Sequence, residues 1–164
     1  MSPETSAKTS YKAPWSWALM GISWGVTALI LGLVVLAARQ TFNPVIAIPL
    51  GILAVTAPFT IRGYRITPEA LLVQRLFWDT CLPLVGLQSA AFDPTAMKRS
   101  IRTGANGGLF SYSGYFSNKA LGDYRALVTN PALSVVLRFP AGTIVVSPEA
   151  PQTFVQTILA LAKR

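Results

Sequence analysis

The sequence predicts an α+β membrane protein, in which an N-terminal transmembrane helical hairpin precedes an antiparallel β-barrel or β-sandwich capped by a C-terminal amphipathic helix. Residues 13–61 carry a single charged side chain, Arg39, as expected of a segment buried in lipid. From residue 62 onward, short apolar runs alternate with turn residues, a pattern typical of strands. These patterns divide the 164 residues into a cytoplasmic N-terminal tail (1–13), an anchor (14–61) and a domain (62–164).

The anchor contains two apolar runs, residues 14–38 and 42–61, each long enough for the ~20 residues that a membrane-crossing helix needs. Only three residues separate the runs, so the sequence predicts a tight antiparallel hairpin. Trp15 and Trp17 begin the first run, where indole rings prefer the headgroup layer. A cleaved signal peptide is the alternative for the first run. It is disfavoured because its apolar core would be shorter and a second apolar run follows at once.

Small residues and prolines mark the contact surfaces and bends of these helices. Gly21 and Gly25 stand at the small-xxx-small spacing of helix-packing faces, although glycine is also simply common in membrane helices. In the second run, Pro49 and Pro58 each remove a backbone donor and are expected to bend the helix. A bent helix of this kind needs a neighbour that covers the freed carbonyls, so Pro49 is a candidate helix-packing residue.

The flanking cations predict the orientation of the hairpin. Lys8 and Lys12 precede the first run, and the connecting loop holds only Arg39. The second run is followed by Arg62, Arg65 and Arg75. The positive-inside rule therefore places both termini and the whole domain in the cytoplasm.

The domain is predicted to consist of short antiparallel strands, because turns of two to four residues cannot make parallel crossovers. In the segment YRALVT, the alternation points Tyr124, Ala126 and Val128 inward and Arg125 and Thr129 outward. The predicted strands are residues 64–67, 70–77, 81–84, 87–92, 124–129, 134–139 and 143–147.

A helix is predicted over residues 151–162, with an apolar stripe formed by Phe154, Val155, Ile158, Leu159 and Ala162. A helix that follows so many strands is expected to plug the open end of a curved sheet. The alternative, a helix lying on the membrane surface, is weaker because its cations sit at the end and not along a polar face.

Residues 98–118 form the least regular segment, with four glycines, four aromatic residues and three cations. A phosphate-binding loop is rejected because no G-K-[ST] sequence and no strand–GxGxxG–helix context is present. The segment is predicted to be a glycine-rich hairpin. Its aromatic residues, Phe110, Tyr112, Tyr115 and Phe116, are candidates for a protein interface.

Several short motifs, in this order, resemble the bacterial PH-like (bPH) domains of small membrane proteins. They are YRIT at 64–67, LPL at 82–84, GGLF at 107–110, GYF at 114–116 and VVSPE at 145–149. The resemblance covers about residues 62–160 and implies a PH-like barrel with a C-terminal helix, carried by a bacterial cytoplasmic membrane. It implies no catalytic residue. The family often has Asp where Ala150 stands, and losing that helix cap costs ~1 kcal/mol unless Ser147 replaces it.

Catalysis is not expected from this sequence. The chain has no histidine, which removes Ser-His and Cys-His catalysis and histidine-ligated metals, and its single cysteine, Cys81, cannot form an intramolecular disulfide. The five acidic residues of the domain lie mostly beside prolines, glycines and turns. We therefore expect no enzyme activity, no cofactor, no metal and no small-molecule substrate. Nucleic acid is not expected as a partner either, because the cations are scattered.

Two functional hypotheses remain. The first is a membrane-anchored scaffold or accessory subunit that docks partner membrane proteins or assembles with itself. The second is recognition of anionic membrane lipids, since residues 62–164 carry eleven cations and five acids, a net charge of +6. The same charges could equally serve only topology and solubility. The candidate lipid- or partner-contacting residues are Arg62, Arg65, Lys98, Arg99 and Arg102.

Overall fold

The computed structural model describes residues 10–38, 47–107 and 109–162. The helices are α1 (Trp17–Ala38), α2 (Ala47–Thr56) and α3 (Pro151–Ala162), with short 3-10 helices at Ala57–Phe59 and Pro131–Leu133. The first strands are β1 (Ser10–Lys12), β2 (Ile61–Ile66), β3 (Ala70–Arg75), β4 (Asp79–Pro83) and β5 (Ser89–Phe92). The later strands are β6 (Ile101–Gly107), β7 (Tyr112–Asn118), β8 (Gly122–Val128), β9 (Val135–Phe139) and β10 (Gly142–Val146).

These strands form two sheets that are not closed into a barrel. The first sheet has the strand order β1-β2-β3-β4, and the second has the order β5-β9-β10-β8-β7-β6. The predicted strands of the domain and the predicted glycine-rich hairpin, now β6 and β7, are all present within a few residues. Of the two predicted forms, a barrel or a sandwich, the barrel is therefore wrong, while the mixed α+β architecture with two sheets and a C-terminal helix is confirmed.

The second sheet contains one parallel pair, β8 with β10, where Ile144 lies opposite Arg125. The expectation of purely antiparallel strands is wrong at this point. After β8, the chain passes the 3-10 helix at Pro131–Leu133 and enters β9 one position further out. β10 then returns between β9 and β8, and it runs in the same direction as β8. Short turns did fix β9 and β10 as antiparallel neighbours, but strand order decided the partner of β8.

The strand β1 extends the domain beyond the predicted boundary at residue 62. It pairs antiparallel with β2, with Ser10 opposite Arg65 and Lys12 opposite Gly63. Its central residue, Tyr11, is buried. The predicted tail of residues 1–13 is thus corrected, because residues 10–12 are part of the first sheet, while residues 1–9 lie outside the described chain.

α1 is a helix of 22 residues, about 33 Å long at 1.5 Å per residue. Ser16 caps it, since the amide of Leu19 donates to Ser16 Oγ at 3.2 Å. Residues 17–36 form the one helix in the described chain that is long and apolar enough to cross a membrane.

In the second apolar run, the described residues 47–61 form the ten-residue helix α2 and a 3-10 turn, and Ile61 already belongs to β2. A helix of ten residues is about 15 Å long, half of a ~30 Å hydrocarbon core. The described residues therefore contain one candidate span and not a hairpin of two, and the predicted connecting loop lies outside them.

Two prolines of this run lie near the two ends of the described helix. Pro49 is the third residue of α2 as described, and the first amides of a helix have no partner within it. The bend at Pro49 stays a prediction. Pro58 lies in the 3-10 turn, so the helix changes its geometry there before it ends.

The main core lies between the two sheets, and α3 packs on it through Phe154 and Ile158, which are fully buried. The predicted apolar stripe of α3 is confirmed except at Ala162, which is exposed, while Leu161 packs against the core. Ser147 does not cap α3, because its hydroxyl is bonded by the amides of Thr129 and Asn130. A second, smaller core covers the opposite face of the second sheet.

Candidate functional site: a groove between the two sheets

Because the sheets do not close, two adjoining cavities lie between them. The wider has a volume of about 680 Å³ and the narrower about 340 Å³, and Tyr115 and Arg125 line both. We call the two together the inter-sheet groove, with a wide end and a narrow end. Its walls come from β4 and the turn after it, from β7 and β8, and from the β9–β10 hairpin.

The wide end is mainly apolar. Its lining includes Leu82, Pro83, Val85, Phe139 and Ile144. Val85 is 87% exposed, whereas Leu82 is a buried core residue and Phe139 and Ile144 are half-buried against the core. The apolar lining is therefore open to solvent on one side and continuous with the main core on the other. An open apolar cleft of this volume lies in the size range of ligand and peptide sites.

The narrow end adjoins the end of the apolar segment, because Thr56 of α2 and Phe59 of the following 3-10 turn line it. On the opposite wall is Arg75, the last residue of β3, which is only 8% exposed. Its Nη1 donates to the Phe59 carbonyl oxygen at 2.8 Å and its Nε to Thr80 Oγ1 at 3.0 Å. The guanidinium also stands 5.6 Å from the centre of the Phe59 ring.

Burial of Arg75, and then the like charge of Arg125, lower the pKa of the Arg75 guanidinium below its ordinary value. An arginine remains protonated at neutral pH nonetheless. The narrow end therefore holds two cationic side chains, Arg75 and Arg125, in one small cavity.

The apolar helices are bonded to the domain at several points. At the start of α1, the Ser16 amide donates to the Thr129 carbonyl at 3.2 Å, and Thr129 Oγ1 donates to the Pro14 carbonyl at 2.9 Å. At the other end, the hydroxyl of Ser111 donates to the Phe59 carbonyl at 3.2 Å. Hydrogen bonds therefore join the domain to the apolar segment both where the chain leaves the domain and where it returns to it.

The tip of the β6–β7 hairpin contacts α1 directly. The amide of Phe110 donates to Ser23 Oγ at 3.0 Å, and the Phe110 ring lies 6.3 Å from that of Trp15. Phe110 adopts a left-handed backbone conformation, with φ of 64°. This end of the hairpin therefore packs against α1 of the same chain.

The four aromatic residues predicted as a protein interface differ in how exposed they are. Phe116 is 6% exposed and stacks on Tyr124, so it is a core residue and the interface prediction is wrong for it. Tyr112 is half-buried against the same core, and Phe110 is half-buried beside Trp15. Tyr115, 61% exposed in the groove, is the member of this set that remains accessible.

The five predicted basic residues lie on different elements of the domain. Arg62 and Arg65 are exposed on β2 of the first sheet, while Arg102 is exposed on β6, the edge of the second sheet. Lys98 and Arg99 are exposed in the turn before β6. Contact of these residues with lipid stays a prediction.

Gly21 and Gly25 are exposed, and a Cβ at either position would meet nothing within 4 Å. The buried residues of α1 are Leu19, Ser23 and Ile30, which the 100° helical spacing puts on the opposite side. The glycine face therefore does not pack against the described part of the chain. Its packing against another chain stays a prediction. Pro49 is half-buried.

Sequence reasoning missed the importance of Arg75 and Arg125. Arg125 was predicted to point outward. In the structure, Tyr124, Ala126 and Val128 pack in the second, smaller core. The alternate residues Arg125 and Leu127 therefore face the first sheet. Because β8 carries apolar residues on both faces, its alternation does not tell which face packs against the first sheet. A usable signal was the position of Arg75 at the end of an apolar strand and directly before Leu76-Phe77-Trp78.

Among the described residues, no group of three or more His, Cys, Asp or Glu side chains could hold a metal ion. A family model described as "Bacterial PH domain" matches residues 62–162. No curated protein and no solved structure matches the chain.

Proposed function

Because this chain belongs to the bacterial PH domain family, we propose that it is a non-catalytic, membrane-anchored module that docks partner membrane proteins or a second copy of itself. The observation that carries the proposal is the open, mainly apolar wide end of the inter-sheet groove. A concave, mainly apolar pocket of this volume has the usual form of a binding site. Tyr115 stands in the groove as an exposed aromatic residue, the type enriched at interfaces.

The pairing of β1 with β2 supports a two-span anchor. The chain leaves the first sheet after Lys12 and re-enters it at Ile61, and the amide of Ala13 donates to the Arg62 carbonyl at 3.2 Å. This pairing supports the proposal that both ends of the apolar segment lie on one side of the membrane. A crossing by α1 would then be reversed by the second run. We accordingly propose spans within residues 14–38 and 42–61.

We further propose that the domain and both termini lie on the cytoplasmic side of a bacterial inner membrane, since Lys12, Arg62 and Arg65 flank the helices and are exposed. Cys81, the single cysteine, is exposed and offers a native topology probe. A membrane-impermeant maleimide should label Cys81 in inverted membrane vesicles and not in intact spheroplasts. Labelling in intact spheroplasts would reverse the proposed orientation.

The alternative function, binding of anionic lipid headgroups by surface cations, is supported by the exposure of Arg62, Arg65, Lys98, Arg99 and Arg102. Each cation near an anionic leaflet contributes ~1 kcal/mol, and the contribution falls with salt. In the intact protein, Lys98→Glu, Arg99→Glu and Arg102→Glu together should reduce enrichment of anionic lipid around the protein. Unchanged enrichment at low salt would remove this surface from consideration.

The docking proposal is tested by photocrosslinking in native membranes. A photoreactive amino acid at Tyr115 or Val85 should give a discrete adduct, and the same probe at Gln156, exposed on α3, should not. An adduct with another membrane protein or with a second copy supports docking in the groove. Equal or absent crosslinking at all three positions contradicts it.

A further inference from the structure

The narrow end of the inter-sheet groove has a charge arrangement that docking of an apolar surface leaves unexplained. Arg75 is more than nine-tenths buried, and Arg125 is half-buried beside it in the same 340 Å³ cavity. Burying one guanidinium is costly, and a second like charge adds to that cost. An arrangement of this kind is stabilised when an anion enters it.

Within the described chain, the Arg75 guanidinium is stabilised by two hydrogen bonds and by the Phe59 ring beside it. The charged or ionisable groups that act on the Arg75 guanidinium within the described chain are Arg125 and Tyr64, and no carboxylate is among them. Asp123, on the same face of β8 as Arg125, lines the wide end. Arg75 uses two N–H groups, toward Phe59 and Thr80, of the five that a guanidinium carries. Its remaining donors are left for a ligand or water.

The surroundings of the cavity are those of a membrane interface. Phe59 and Thr56, at the end of the second apolar run, form one wall. Beside them, the turn between β3 and β4 exposes three large apolar side chains in succession, Leu76 at 41%, Phe77 at 75% and Trp78 at 42%. The rings of Trp78 and Phe59 meet edge to face at 5.3 Å. Aromatic residues at the end of an apolar helix occupy the headgroup layer of a bilayer.

We propose that Arg75 and Arg125 bind the phosphate of an anionic membrane phospholipid, whose headgroup enters the narrow end beside the Leu76–Phe77–Trp78 turn. Guanidinium groups bind phosphate oxygens through paired, charge-assisted hydrogen bonds. The cavity volume lies at the small end of the range of ligand sites, which fits a headgroup and leaves the acyl chains in the bilayer. The inference rests on the proposed membrane anchor, but not on the docking of a partner protein.

The test uses the full-length protein in nanodiscs that contain phosphatidylglycerol and phosphatidylcholine, with retained lipid measured by native mass spectrometry. Arg125→Gln is the principal variant, since Arg125 is only half-buried and its loss spares the hydrogen bonds of Arg75. We expect about tenfold weaker retention of phosphatidylglycerol, the effect of one lost charge-assisted contact. Arg138→Gln, an exposed arginine on β9 outside the groove lining, is the matched control and should retain the lipid as the native protein does.

Two results would overturn the proposal. The first is equal retention of phosphatidylglycerol by the native protein, Arg125→Gln and Arg138→Gln. The second is displacement of the bound lipid by millimolar inorganic phosphate to the same extent in all three, which would make the retained lipid a nonspecific surface association. Resistance of each variant to alkaline extraction from membranes is measured alongside. A protein that is extracted contradicts the anchor itself, whereas an anchored protein without lipid selectivity contradicts only the phosphate site.

Discussion

The hydroxyl of Tyr64 donates a 2.7 Å hydrogen bond to the carbonyl oxygen of Leu127 and thereby joins the two sheets through the middle of the core. The same hydroxyl accepts a bond from the Ser147 amide at 3.1 Å, and Tyr64 is fully buried. Since the sheets are not closed by strand pairing, side-chain bonds such as this one and shared apolar packing hold them face to face.

Removing the Tyr64 hydroxyl is expected to lower the free energy of unfolding. Tyr64→Phe leaves the Leu127 carbonyl and the Ser147 amide without their buried partner, which should cost about 1–3 kcal/mol of unfolding free energy. The measurement is denaturant unfolding of the detergent-solubilised protein. Tyr115→Phe, which removes a hydroxyl from an exposed ring, is the control and should change stability by less than ~0.5 kcal/mol. Equal effects of the two changes would contradict the role given to Tyr64.

The same burial predicts a loss of stability at alkaline pH. Desolvation raises the pKa of Tyr64 to about 12, above the ordinary tyrosine value of 10.0. The folded state therefore keeps a proton that the unfolded state releases. The stability that this proton contributes is fully present below pH 10. As pH rises from about 10 to 12, the free energy of unfolding should fall by at most ~1.4 kcal/mol per pH unit because of Tyr64. Unfolding curves at several alkaline pH values check it, and Tyr64→Phe should show a shallower fall.

The contact between β1 and β2 depends on a glycine. A Cβ at Gly63 would stand 2.8 Å from the Tyr11 carbonyl oxygen and 3.1 Å from Gln74 Oε1. Gly63→Ala should therefore displace β1 and destabilise the domain by about 1–3 kcal/mol, measured as the shift in the unfolding midpoint. Gly104→Ala is a matched change in a strand where a Cβ meets nothing within 4 Å, and it should be almost neutral. A neutral Gly63→Ala would show that β1 is not tightly packed.

The open glycine face of α1 predicts self-association in the membrane. Gly25→Leu adds bulk to an open face without touching the described domain, so it should leave folding unchanged. It should weaken association of α1 with another helix by about fivefold or more, the equivalent of ~1 kcal/mol. Fluorescence energy transfer between labelled copies in proteoliposomes measures this, with Gly25→Ala as a control that keeps the residue small. Energy transfer unaffected by Gly25→Leu would exclude this face as the contact.

Local patterns in the sequence determined the type and order of the elements in the domain. Alternating apolar residues and Pro, Gly and Asn turns placed the strands from β2 to β10, and helical spacing placed α3 at residues 151–162. A run without charges likewise identified α1 as a candidate span. These properties are local, because each depends on residues a few positions apart.

Only the tertiary structure decided which elements meet. The sequence did not reveal that Ser10–Lys12 pairs with β2 across 48 residues of intervening chain, or that β10 lies between β9 and β8. Nor did it reveal that Arg75 and Arg125, on different sheets, line one cavity at the end of the apolar segment. Alternation along a strand tells which residues share a face, but the direction of that face depends on what packs against it. The groove exists because two twisted sheets of four and six strands leave a gap between them, a property that no single strand carries.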